Sequence, residues 1–206
     1  MPKHGKAGSE RGRIALLHAL AHIEYNAIDL AFDMAGRFGA GLPRGFIYDW
    51  VGVGADEAMH FVLLERRLRA LGSSYGALPA HGGLWEAAAE TRHDLAARLA
   101  VVPMVLEARG LDVTPATIAA FERAGDDRSA AILGRIYRDE IRHVAAGVHW
   151  FREVCESRGM TPAAAWPELV RRHFRGVLKP PFNDSARDAA GLSREWLAGV
   201  VGSGFD

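Results

Sequence analysis

Cysteine is almost absent from this 206-residue chain: Cys155 stands alone. A lone thiol excludes an internal disulfide and suits a reducing cytoplasm. Cys155 follows a helical apolar stripe, so it reads as a small buried hydrophobe. An excess of either charge is missing too, because 25 Lys and Arg balance 25 Asp and Glu. Nothing in that balance points to nucleic acid or to an anionic membrane. The one basic run, Arg171, Arg172, His173, Arg175 and Lys179, reads as a solvated helix face. No apolar run approaches the roughly 18 residues of a membrane span. Met1 to Arg13 is polar and basic and lacks the apolar stretch of a secretory signal. Residues 1–12 are therefore expected to be a disordered lead-in. No strand-like alternation of consequence and no low-complexity tract occurs.

Helical periodicity fills what remains. Ile14, Leu17, Ala21, Glu24, Ile28 and Ala31 recur at three- and four-residue steps and predict a first helix from about Glu10 to Phe38. Gly39, Gly41 and Pro43 mark a turn. A second helix is expected from about Arg44 to Leu71, with Trp50, Val53, Glu57, His60, Phe61 and Leu64 inward. Gly72 to Gly83 reads as a connecting segment, and a third helix is expected over about Leu84–Arg109. Pro103 inside it predicts a kink or bulge. Thr114-Pro115 reads as an N-cap with proline at the first helical position, opening a short helix to Gly125. A fourth long helix is expected from about Asp127 to Ser157, then a short one from Thr161-Pro162. The tail reads as irregular, with a last amphipathic segment over about Ser193–Val200. The length suggests one domain: a helical bundle over about 13–158 and a C-terminal extension over 159–206.

One motif is written twice. Glu24 is followed 33 residues later by Glu57-Ala-Met-His60, and Glu107 is followed 33 residues later by Glu140-Ile-Arg-His143. Each Glu-x-x-His pair leaves one helix face, at i and i+3. With 13 Glu and 9 His in 206 residues, about half of one such pair is expected by chance. A third match, Glu90-Thr-Arg-His93, is set aside. Its neighbours Glu86, Arg92, Asp94 and Arg98 are charged, and it lies 17 residues from Glu107, roughly 25 Å along one helix. Glu24 and Glu57 lie at similar distances on either side of Gly41, so an antiparallel hairpin brings them level. Glu24 then falls on an apolar face, where a charge is costly unless paired or metal-bound.

Four carboxylates and two imidazoles form a ligand set for two divalent ions, with charges that cancel. Oxygen donors with imidazole suit iron or manganese; zinc would favour thiolates, and no cysteine is near. One His per metal leaves open positions. Asp56 and Asp139, each just before a ligand Glu, are placed to hydrogen-bond the opposite histidines, Asp56 toward His143 and Asp139 toward His60. Arg142 is placed to pair with a buried Asp. Tyr137, three before Glu140, and Trp50, seven before Glu57, could line the site or carry an oxidising equivalent; such aromatics are more often core. Tyr137 is the candidate for a direct catalytic part. Gly54, Ala100 and Gly147 either leave room for a substrate or let helices pack closely. His18 and His22 read as core or as hydrogen-bond partners near the site.

A bundle with one Glu on each of two helices and Glu-x-x-His on the other two is the carboxylate-bridged di-metal arrangement. On these motifs the chain resembles the ferritin-like superfamily. The stretches His18-Ala-Leu-Ala-His-Ile-Glu24, Ala27-Ile-Asp-Leu30, Val102-Pro-Met-Val-Leu-Glu-Ala-Arg-Gly-Leu-Asp-Val-Thr-Pro115 and Pro181-Phe-Asn-Asp resemble a bacterial ferritin-like family known mainly as a domain of unknown function. That family usually has a longer N-terminal segment and reads Gly-Pro-Phe-Asn where this chain has Pro180-Pro-Phe-Asn. The pattern is more distantly similar to ferritin-like tRNA hydroxylases and to aldehyde-oxidising and desaturase enzymes. The resemblance implies an all-α, ferritin-like four-helix bundle with additional short C-terminal helices. Its ligands would be Glu24, Glu57, His60, Glu107, Glu140 and His143, holding Fe/Fe or Mn/Fe. The expected function is an oxidoreductase that activates O2 to hydroxylate or oxidise an organic substrate, fed by an external electron donor. The alternatives are a peroxide-scavenging or iron-oxidising protein and a bundle whose metals only brace the fold.

Overall fold

The computed structural model describes residues 8–80 and 82–201. Among them the secondary structure is helical throughout, without strands, as the periodicity requires. The elements are α1 (Glu10–Phe38), α2 (Arg44–Ala70), α3 (Gly83–Glu90), α4 (Leu95–Val101), a π-helical stretch (Val102–Glu107), α5 (Ala108–Arg123), α6 (Asp127–Ser157), α7 (Pro162–His173), α8 (Asp184–Ala189) and α9 (Arg194–Val201). No helix among the described residues is long and apolar enough to cross a membrane. Helix α1 begins within the expected lead-in. Ser9 caps it by accepting the Gly12 N–H at 3.1 Å, so Glu10–Gly12 are its first turn. The rest of the expected lead-in, Met1 to Ala7, lies outside the described residues.

Two compact units divide the chain, one of Met1–Gly82 with Thr114–Ile136, the other of Gly83–Val113 with Tyr137–Asp206. In the first, α1 and α2 form the expected antiparallel hairpin. The turn between them is closed by Gly41 at φ 83°, which only glycine adopts without strain. Leu17 and Ala21 of α1 pack with Leu64 and Leu68 of α2, and with Phe121, Ala130, Leu133 and Ile136. The segment after α2 folds back on the hairpin. Tyr75 stacks on His18 at 5.3 Å between ring centres and meets Phe61 edge-on at 5.2 Å.

The second unit corrects two expectations. The helix expected over Leu84–Arg109 is broken at Thr91–His93. There the Thr91 hydroxyl turns back to the Ala87 carbonyl at 3.0 Å. Asp94 caps α4 by accepting the Ala96 N–H at 3.0 Å. The buried Arg98 seals the break, donating to Thr91 Oγ1 at 3.0 Å and to the Ala88 carbonyl at 2.7 Å. The short helix expected to open at Pro115 does not exist as such, because α5 runs from Ala108 straight through Pro115. Proline inside a helix removes the N–H that would reach the carbonyl four residues earlier, that of Leu111. Asn183 supplies the missing donor, its Nδ2 lying 3.1 Å from that oxygen.

Pro103 bulges its helix as expected: Val102–Glu107 is π-helical and ends on the candidate ligand Glu107. A Cβ on Gly147 of α6 would lie 2.5 Å from the Pro103 Cβ, so Gly147 serves close packing. Ala100 is fully buried, and its carbonyl accepts the Trp166 indole N–H at 3.2 Å. Cys155 is buried and free, and burial pushes its thiol pKa up. The tail is less irregular than expected: α8 stands between the Pro-rich segment and α9.

Candidate metal centre

Within the first unit, α1 supplies Glu24 and α2 supplies Glu57 and His60, all nine-tenths or more buried. His60 Nδ1 lies 3.2 Å from Glu24 Oε2 and 3.3 Å from Glu57 Oε2. Each of the three residues offers one ligand atom, and these lie within 4.8 Å of one another. The hairpin register brings this about. Glu57 and His60 share a helix face one turn apart, and Glu24 arrives level with them from the antiparallel neighbour. Burial pulls the His60 pKa down, but its hydrogen bonds to Glu24 and Glu57 and their charges outweigh this and push it up to about 10. Two buried carboxylates thus share one positive charge held on the imidazole. The donor set fits a hard or borderline divalent cation, which would neutralise the carboxylates as the imidazolium does.

The second half of the motif lies in the second unit. Glu140 and His143 leave one face of α6, with His143 Nδ1 3.5 Å from Glu140 Oε1 and the His143 side chain 2% exposed. Glu107, half-buried, closes the π-helical stretch. Asp139 is buried and accepts from Arg142 at 2.6 Å, so Arg142 does pair with a buried Asp. Asp56 is half-buried on α2. Tyr137 is half-buried, and its hydroxyl oxygen accepts from Asn183 Nδ2 at 2.9 Å. Trp50 is buried and packs against Phe46 at 6.2 Å, a core position.

The residues set aside stay outside. Glu90 and His93 are exposed, with Glu90 at the end of α3 and His93 in the turn beyond it. Glu90 faces Arg175 at 3.8 Å, and the His93 ring lies 5.8 Å from that of His173. His18 and His22 serve the segment after α2. His18 Nε2 accepts the Gly76 N–H at 2.9 Å, and His22 Nδ1 meets the Tyr75 hydroxyl at 2.8 Å. Burial, followed by the neighbouring His22, lowers the His18 pKa. A Cβ on Gly54 would come within 3.0 Å of the Phe32 ring, so Gly54 also serves packing. Sequence reasoning missed Asn183. Its signal was the Pro181-Phe-Asn-Asp stretch, to which no role was attached.

A family model described as Protein of unknown function (DUF455) matches residues 1–198. An "Uncharacterized protein" of Haemophilus influenzae is 41% identical over 203 residues, covering 96% of this chain and 70% of that relative. No solved structure matches the chain.

Proposed function

Because the chain belongs to the DUF455 family, which prescribes no reaction, we propose a function from the site itself: a di-metal carboxylate oxidoreductase that activates dioxygen against an organic substrate. The observation that carries it is the buried triad of Glu24, Glu57 and His60, together with its repetition in sequence as Glu107, Glu140 and His143. In this reading both sets of three would serve one centre and would hold two ions of iron, or of manganese and iron. Such ions, when bound, would supply redox chemistry toward dioxygen, with an external electron donor restoring their reduced state.

The chain's own residues do the rest. Glu24, Glu57, Glu107 and Glu140 balance the charge of two divalent ions. His60 yields the proton it shares with Glu24 and Glu57 in order to bind. Asp56 and Asp139 orient the histidines of the opposite half. The apolar neighbours Val53, Leu64 and Val144, all buried, keep bulk water away. With one imidazole per ion, the six-residue set would leave room for a further ligand, which favours chemistry over a bracing role.

Anaerobic loading with Fe(II) followed by mixing with O2 tests this. The expected result is a transient visible absorption and then a stable oxidised state, with product formed once the substrate class is supplied. Rapid turnover of peroxide without any substrate would favour scavenging. Protein that stays colourless and reduced in air would leave only a bracing role for the metals.

A further inference from the structure

We propose that Asn183 is a positioning residue for the second half of the centre, tying the helix that follows Glu107 to the helix that carries Glu140 and His143. The inference rests on the di-metal reading. Its ground is the use made of one side-chain amide. One Nδ2 hydrogen goes to the Leu111 carbonyl at 3.1 Å, one helical turn after Glu107. The other goes to the Tyr137 hydroxyl oxygen at 2.9 Å, nearly one turn before Glu140. The Leu111 oxygen is open to a side chain because Pro115 has no N–H to give it. The proline leaves an acceptor inside the helix, and the asparagine, 72 residues from that carbonyl, fills it.

Every other polar atom of Asn183 is fixed as well. Its backbone N–H donates to Asp112 Oδ1 at 3.0 Å, and its Oδ1 caps α8 by accepting from Ala186 N at 3.3 Å and from the Ser185 hydroxyl at 2.9 Å. Arg187, 2% exposed, clamps the same Asp112 through two bonds of 2.8 and 2.7 Å. Arg109, two residues after Glu107, donates to the carbonyls of Lys179 at 2.7 Å and Pro181 at 3.2 Å. Residues 179–187 are thus held as a strap on α5. Asn183 is the point where the strap reaches α6. A buried, bidentate clamp of this kind fixes rotamers to the tolerance that a metal ligand needs.

The substitution N183D separates this role from mere helix capping. Aspartate keeps an oxygen that caps α8 and the same shape, but it has no hydrogen for the Leu111 carbonyl, and toward the Tyr137 hydroxyl it can only accept. The probe is Co(II), titrated anaerobically into the full-length chain and followed by its visible absorption, with far-ultraviolet circular dichroism as the fold control. We expect unchanged helix content, one of the two Co(II) equivalents bound about 10- to 100-fold more weakly, and a changed absorption band for that equivalent alone. If N183D does not fold, Y137F removes one of the two links and leaves the strap in place; a weakened second equivalent is expected there too. Wild-type affinity and an unchanged spectrum for both equivalents in a folded variant would overturn the positioning role while leaving the metal reading intact. A wild-type chain that binds no Co(II) would overturn both.

Discussion

His60 concentrates the electrostatics of the candidate centre in one ring. In the metal-free protein its folded pKa of about 10 stands above the ordinary value of 6.5. The proton therefore binds the folded state more tightly than the unfolded one. The resulting stability is complete below pH 6.5 and is lost as pH rises through about 10. Denaturation midpoints of the chelator-treated protein should fall over that window, and H60N should flatten the decline. An equal decline in H60N would assign it to other groups. Asp56→Ala and Asp139→Ala should each weaken metal binding about 10- to 100-fold if they orient histidines, measured by metal titration. Exposed Glu90 and His93 set the opposite limit: replacing both with Ala should leave metal content unchanged. At this scale much was legible. Glu24 could be read as one of a buried cluster because a lone carboxylate on an apolar helix face is costly, and Glu90 as exposed because its neighbours are charged. Asn183 was not legible, since its partners, Leu111 and Tyr137, are 72 and 46 residues away and hydrogen-bond geometry has no sequence period.

Helix boundaries divide by how local their causes are. The ends of α1, α2 and α6 follow from Ser9, from the Gly-Pro turn and from the apolar period, all within reach of a short window. The break after α3 was missed because Thr91, Asp94 and Arg98 read equally well as a solvated face; only their hydrogen bonds reveal a turn and a cap. Thr114-Pro115 misled for the reverse reason. It carries a helix-start signal, yet the lost hydrogen bond is made good by the distant Asn183. The glycines give a sharp test of packing. A Cβ at Gly147 would sit 2.5 and 2.7 Å from Pro103 Cβ and Cγ, a ring that cannot swing aside. G147A should therefore lose about 1–3 kcal/mol of stability in denaturant titrations, the usual cost of overpacking. Gly110 in α5 meets nothing within 4 Å, so G110A should gain about 0.5–1 kcal/mol instead. A stabilised G147A would show that α6 can draw back from the π-helical stretch at no cost.

For the molecule as a whole, the doubled ligand motif and the all-helical architecture were both visible in the sequence, because periodicity and i, i+3 spacing carry them. The partition into two compact units shows in the sequence at Gly82–Gly83, where the connecting segment ends, but its other two boundaries fall inside α5 and α6, where the chain shows no break in pattern. Each unit holds one half of the motif: Glu24, Glu57 and His60 in the first, and Glu107, Glu140 and His143 in the second. The central claim is that these six side chains bind metal together. Its most direct test is an anaerobic Fe(II) titration of the wild-type chain beside Glu57→Ala and Glu140→Ala, with bound iron counted per chain. The account predicts about two irons per wild-type chain and a loss in either variant, with helix content preserved because apolar packing supplies most of it. A wild-type chain that binds no iron, or variants from both halves that bind as much as it does, would contradict the account.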